Sequence, residues 1–289
     1  MKIINPSVEL YPQEDYTLEG IYKQIEKCAR VSYKSEDKIT ETSSKAFVDN
    51  LIKAGHYAPL EFGTVYLKMP GQGLYNQCQK HTYEDYTKNK YSKVHMSYEK
   101  DKEDDFVGII YANITTNFRV LVENGWTDDL KYLCVPTKYH EKRYCVKFTT
   151  DIGAAREFTR HRVFSFMQES TRYCNYSKGK FDEELTMIVP CKSDWNGAEG
   201  NAYYAMLGLL EDIETVYMMG AKEGIKPQIL RDILPLRTKT ELVMCGFEED
   251  WKHFFDLRLR GTTGAPHPDA KYLAQETWNL FKDNYDVEL

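Results

Sequence analysis

Apolar positions recur at helical spacing in several stretches of the chain. Tyr22, Ile25, Cys28 and Ala29 lead up to Val31, and Ala46, Phe47, Leu51 and Ile52 share one side of Thr42–Lys53. Ser43 or Ser44 is the expected N-cap of that second helix and Gly55 its stop. The strongest pattern covers Ala202–Met219, with Tyr203, Met206, Leu207, Leu210, Ile213, Val216 and Tyr217 at helical intervals. Two short helices over Thr116–Glu123 and Thr127–Leu133 break at Gly125. Others are expected from Ala154, over Gln228–Leu234 up to Pro235, over Glu249–Leu259, and from a cap at Asp269 through Phe281. Alternation or short apolar runs predict strands at Ser7–Leu10 (an edge), Thr64–Met69 (half-buried), Phe106–Ile110, Tyr144–Thr150, Leu185–Val189 and Thr240–Cys245. Between Pro70 and Asp105 aliphatic residues give way to Lys, Glu, Asp, Tyr and His, which predicts a surface elaboration without chemistry of its own. The expectation is an α/β (α+β) fold: one large domain over residues 1–289, with a mixed, mainly antiparallel sheet flanked by helices and a surface insertion at about 70–139.

One stretch breaks these patterns. Arg160–Tyr173 packs three arginines, a histidine, two serines, a glutamine and a glutamate beside Val163, Phe164, Phe166 and Met167. Arginine presents a planar, permanently charged fork suited to phosphate or carboxylate, so several with few acidic neighbours predict a polyanionic ligand. Only Glu157 and Glu169 are close in sequence, and Glu157 stands three residues before Arg160, where a helix would let them pair. A solvated basic helix face is the bland alternative, but bulky apolar residues interleave with the charges here. The run Val163–Glu169 suits an extended segment better than a helix, so Arg160 and Arg172 could approach one ligand from two backbone segments. Elsewhere, His56 and Glu61 sit on a loop, and Arg231 lies in an apolar run as a ligand clamp or a partner of Asp232 or Glu241.

Composition narrows the choices. The chain has 289 residues, is 42% hydrophobic and carries a net charge of −6, so a nucleic-acid footprint over the whole surface is not expected and any anion site must be local. The 22 tyrosines suit clefts or subunit contacts. Seven cysteines without a C-x-x-C pair read as mostly reduced thiols of a cytoplasmic protein, and the scattered histidines give no metal site. No leader or long apolar run is visible, and the acceptor triplet at Asn113 is taken as a chance match.

Arg160-His161-Arg162, then seven residues, then Ser170, continued by Arg172-Tyr173, resembles the signature of the flavin-dependent thymidylate synthases. Supporting segments occur in family order: Arg30-Val31-Ser32, Gly55-His56 through Pro59 and Glu61, Arg231 through Pro235, and Leu257-Arg258. The resemblance implies a homotetramer with shared active sites that binds flavin adenine dinucleotide (FAD). It implies methylation of deoxyuridylate (dUMP) to thymidylate (dTMP), with 5,10-methylenetetrahydrofolate as carbon donor, NADPH as reductant and no covalent enzyme nucleophile. Carried over residue by residue, Arg258 and Ser170 are the catalytic positions. Glu157, Arg160, Gln168, Glu169, Ser170, Thr171, Arg172 and Arg231 are implied at the nucleotide. Ser32, His56, Glu61, Arg160, His161 and Arg162 are implied at the flavin, with Val163, His253, Leu257 and His267. The chain departs from the pattern at Met167-Gln168, at Glu157 in place of glutamine, at Phe247 in place of a polar flavin contact, and in a longer loop over Gly261–Pro268.

Two rival readings stand beside this one. Pro190-Cys191 invites comparison with a nucleophilic thiol, but only Lys192 supports it, so Cys191 is read as structural. From another class, the Arg/Tyr-rich motif could stack on single-stranded nucleic acid. Acidic net charge and the confinement of arginines to short segments count against that.

Overall fold

The computed structural model describes residues 1–71, 81–100, 108–188, 201–285 and 287. Along the chain run β1 (Lys2–Ile4), β2 (Ser7–Leu10), α1 (Leu18–Arg30), α2 (Ser43–Lys53), β3 (Thr64–Pro70), α3 (Tyr83–Tyr86), β4 (Lys93–Lys100), β5 (Gly108–Asn117) and α4 (Phe118–Asn124). They are followed by β6 (Arg143–Asp151), α5 (Ile152–Phe158), β7 (Ser165–Gln168), β8 (Thr186–Ile188), α6 (Asn201–Lys222), α7 (Pro227–Leu230), β9 (Lys239–Phe247), α8 (Glu248–Phe255) and α9 (Pro268–Asn284). The class is α/β as expected, but the strands form three sheets rather than one. An antiparallel sheet of order β2-β6-β9-β7 is central, β3-β5-β4 forms a second antiparallel sheet, and β1 pairs parallel with β8.

Alternation along β6 sends Tyr144, Val146 and Phe148 to one face of the central sheet and Cys145 to the other. The first face packs on Phe158 of α5, Trp251, Phe254 and Phe255 of α8, and Phe281 of α9. Each fully buried aromatic contributes roughly 1.5–3 kcal/mol, so this layer is the anchor against which the Arg-rich segment is fixed. Phe164 of that segment inserts beside Trp251, and it can do so because position 246 is glycine: a Cβ there would lie 2.5 Å from the Phe164 ring. The opposite face carries Cys28, Val31, Phe62 and Val243, with Met167 packed against them. Met167 is thereby explained as core packing.

Several local expectations change. Strand β3 is buried on both faces and is not half-buried: Val65, Leu67 and Met69 join the core with Ile21 and Ile25 of α1, while Tyr66 packs against Tyr16 and His140. Neither Ser43 nor Ser44 caps α2; the cap position is Thr42, and Ser43 Oγ instead accepts from Thr40 N. The cap of α9 is His267, whose side chain accepts from Asp269 N, while Asp269 pairs with Arg237. Ser7–Leu10 is an edge strand as read, and Val163–Glu169 does contain the extended segment β7. Cys145 and Cys245 stand opposite each other in the β6–β9 ladder and are joined by a disulfide, which corrects the reading of reduced thiols for that pair. Cys28, Cys134 and Cys174 form no disulfide. Phe106, Val189, Pro190 and Cys191 lie outside the described residues, as does Cys78. No described helix is long and apolar enough to cross a membrane.

Candidate active site

Strand β7 pairs with β9 and carries the Arg-rich segment across the edge of the central sheet, so its two ends face different surroundings. Beyond its C-terminal end the backbone stays extended: Glu169 N donates to Glu241 O at 2.8 Å, and Ser170 N donates to Ser32 O at 2.9 Å. Alternation then sorts the side chains. Gln168 and Ser170 face a cleft of about 700 Å³, while Glu169 points the other way. Ser32 and Tyr33, in the turn after α1, form the neighbouring wall, and His56 closes one side from the loop after α2. Phe47, Leu51, Phe166 and Met167 give the cleft an apolar floor.

Two cations of the cleft are already neutralised. Arg30 forks onto Glu26 with contacts of 2.6 and 2.8 Å and stacks on Phe47. Arg119 donates to Glu61 at 2.6 Å and to Glu123 at 2.8 Å. Glu61 also accepts from Ser165 Oγ at 2.5 Å, and its backbone carbonyl takes both terminal nitrogens of Arg143. Thus Glu61 is a buried tie between cleft wall and sheet. Arg119 and Glu123 belong to α4, inside the stretch of about 70–139 read as a surface insertion, and both line the cleft. Their spacing of four residues predicts a helical pair; the contact to Glu61 is a tertiary event that no local spacing announces.

The N-terminal end of the segment differs. Arg258 Nη1 donates to Glu157 Oε2 at 2.8 Å, Nη2 to the Glu157 carbonyl at 2.6 Å, and Nε to His161 Nε2 at 3.0 Å. The expected Glu157–Arg160 pair is therefore replaced: Glu157 faces the turn after α8, and Arg160 is exposed. Because guanidinium only donates, His161 Nε2 must accept, which fixes a neutral ring with its proton on Nδ1. Burial, then the charges of Arg258 and His253, pull the His161 pKa down to about 4. Arg162, Val163 and His253 are exposed around this cluster, with the His253 ring 6.2 Å from that of His161, and Leu257 is half-buried.

Behind the cleft wall Glu169 accepts from Lys239 at 2.8 Å, and Glu241 accepts from Lys34 and Lys239 at 2.7 and 2.9 Å. Burial raises the Glu169 pKa, which Lys239 opposes; Glu241, also buried, is nevertheless drawn down to about 2 by the two lysines. Thr171, Arg172 and Tyr173 form a turn, with the Arg172 guanidinium over the Tyr173 ring and Tyr173 against Tyr33. Arg231 is exposed after α7, and His267 is occupied as the α9 cap. Neither meets the cleft within this chain. Phe247 is buried and receives Arg143 on its ring, so it is a packing residue here.

A family model described as thymidylate synthase complementing protein matches residues 139–285, just over half of the chain. The chain belongs to that family, the flavin-dependent thymidylate synthases. A probable flavin-dependent thymidylate synthase of Paramecium bursaria Chlorella virus 1 is 26% identical over 184 residues, 58% of this chain and 82% of the viral protein. The flavin-dependent thymidylate synthase of Synechocystis is 27% identical over 136 residues, 45% of this chain and 63% of that protein. A UMP/dUMP methylase structure from Streptomyces cacaoi, bound with 5-Br dUMP, aligns over 98% of this chain and 93% of that one at 16% identity, with a TM-score of 0.45. The family match begins after the stretch that carries β4, β5 and α4, so Arg119 and Glu123 lie outside the matched span.

Proposed function

We propose that this flavin-dependent thymidylate synthase methylates dUMP to dTMP, using 5,10-methylenetetrahydrofolate and NADPH, with FAD as its cofactor. One observation carries the reading. Among the described residues, Arg160 and Arg162 at one end of β7 and Arg172 at the other make no salt bridge, while Glu157 and Glu169 pair with Arg258 and Lys239. Unpaired forks at both ends of the strand that borders this polar-walled, apolar-floored cleft suit two phosphate-bearing ligands.

The donor set fits FAD. Arg160 and Arg162 would take its diphosphate beside Val163, with Ser32 and His56 in the cleft, and Glu61, His161, His253, Leu257 and His267 as further flavin positions. When bound, the flavin delivers the reducing equivalents of NADPH to the carbon transferred from the folate. The rest is work for the protein. Arg172 and Ser170, with Thr171 and Arg231, hold the nucleotide phosphate, while Gln168 lines the path to the base. Glu169 acts from behind the wall by fixing the backbone between Gln168 and Ser170. Arg258 is the catalytic cation: of its five donors three are engaged by Glu157 and His161, leaving two for the uracil, where they stabilise developing negative charge.

The flavin residues of one chain fall on two surfaces, the cleft and the rim of the Glu157–Arg258 cluster, which favours sites completed by another copy. Helix α6 supports a homotetramer. Its buried face holds Tyr203, Leu210 and Tyr217, yet a second apolar stripe includes Leu209, Val216 and Met219, each more than half exposed (59, 55 and 56%). Residues 70–139 would then be an elaboration within one synthase unit. The proposal is tested by the visible spectrum of the purified protein. Flavin absorbance, or its appearance on adding FAD, is expected; a colourless protein that takes up no flavin contradicts the reading.

A further inference from the structure

A second cavity, of about 510 Å³, lies away from the cleft, where the segment before β6 and the end of α9 meet β3. Its volume is in the range of small-molecule sites, about 300–1,000 Å³. Four tyrosines wall it. Tyr16 packs edge-on against Tyr66 with ring centroids 5.3 Å apart, and Tyr144 lies against Tyr285 at 4.4 Å. Its charged lining residues are all basic: Lys138, Lys142 and Arg143. Among the described residues none of these three makes a salt bridge. Lys138 lies over the Tyr139 ring, and Arg143 gives three of its five N–H groups to the Glu61 carbonyl and the Thr64 hydroxyl. Glu248 accepts weakly from the wall residue Tyr144 at 3.4 Å and is itself paired with Lys252.

Aromatic walls select a planar ring, and cations held in no salt bridge select an anion attached to it. We propose that this cavity is a separate binding site for a nucleoside phosphate, with the base among the tyrosines and the phosphates on Lys138, Lys142 and Arg143. A folate polyglutamate shares the pattern of ring plus anionic tail. Phosphate is favoured because all three cations line one cavity, whereas carboxylates strung along a peptide would need them spread out.

The test uses the intact protein with FAD and dUMP in excess, and ATP as the probe, titrated calorimetrically. Lys138 and Lys142 are exposed and touch nothing in the cleft, so Lys138→Glu/Lys142→Glu separates the two sites. Saturable ATP binding is expected, at least about tenfold weaker in the double variant and unchanged in Arg172→Ala. Tyr16→Ala and Tyr285→Ala should each weaken ATP several-fold without affecting inorganic tripolyphosphate, which should bind less tightly than ATP. Absence of saturable binding, binding indifferent to the lysine reversals, or equal affinity for tripolyphosphate would overturn the proposal. Preferential uptake of tetraglutamyl folate with the same lysine dependence would overturn it in favour of a folate. Loss of ATP binding in Arg172→Ala alone would place the nucleotide in the cleft instead.

Discussion

On the α8 side of β7, Glu157, His161 and Arg258 satisfy one another; on the cleft side, Ser32, Ser170 and Arg172 keep polar groups open. Both ends belong to one fourteen-residue stretch with the same density of charge. What separates Glu157 and His161 from Arg172 is whether the third dimension supplies partners. At the first end a guanidinium from 101 residues away completes the set, so the charges define a geometry. At the second, the available acids are diverted: Glu169 and Glu241 to Lys239 and Lys34, Glu61 to Arg119. Removing the carboxylates from the neighbourhood of Arg172 leaves a cation for a ligand to neutralise.

If this contrast is real, substitutions at the open end should cost affinity and those at the closed end should cost stability. The largest effect is expected for Arg172→Ala, which should weaken dUMP binding by about 2–4 kcal/mol, the cost of a charge-assisted contact. Its unfolding free energy should shift by no more than about 0.5 kcal/mol, as for ordinary surface changes. Calorimetric titration and urea melts read the two quantities, and unchanged affinity would remove Arg172 from the site. Arg258→Met should do the reverse in a melt. It strands Glu157 and His161 and should destabilise by about 2–3 kcal/mol, below the value for a fully buried pair because Glu157 is 30% exposed. A neutral melt would show that the cluster is not mutually supporting.

A smaller effect concerns acid. His161 takes a proton near pH 6.5 when unfolded and only near about 4 when folded, so between these values the unfolded state binds more protons. Stability from this group is complete above pH 6.5, falls as pH drops, and is fully lost by about pH 4; the loss is at most about 3 kcal/mol. Glu241 is distinguishable, since its pKa of about 2 against the ordinary 4.5 confines its loss to more acidic solution. His161→Asn should therefore flatten the stability profile between pH 6.5 and 4, and an unaltered profile would refute the neutral, buried histidine. The smallest change is expected for Ser170→Ala. Its hydroxyl accepts only a long contact from Arg172 N at 3.4 Å, so stability should move by less than about 0.5 kcal/mol while dUMP binding weakens measurably.

Much of the fold was legible because periodicity reports burial directly. The helix over Asn201–Lys222 and the strand over Arg143–Asp151 follow from spacing, and the extended run after Val163 from its bulky aromatic residues. The second apolar stripe of α6 was not separable, because a helix apolar on two sides gives the same local pattern whether a neighbour is its own core or another copy. At the site, Ser32, His56, Gln168 and Ser170 were named from the family pattern, and they do share one cleft. The partners of Glu157 and Glu61 were not readable. An acid three residues before an arginine is the natural local guess, yet Arg258 and Arg119 reach these carboxylates through tertiary packing. The Cys145–Cys245 pair was missed for a related reason: it depends on β6–β9 register, and neither spacing nor count encodes register.

The most direct measurement is tritium release from dUMP labelled at C5 of the uracil, with FAD, NADPH and methylenetetrahydrofolate supplied together and then withheld one at a time. Release accompanied by dTMP formation, abolished without FAD or folate and lost in Arg258→Met, is the predicted result. No release from a protein that has bound both flavin and dUMP, or dTMP formation undiminished without flavin, would contradict the account.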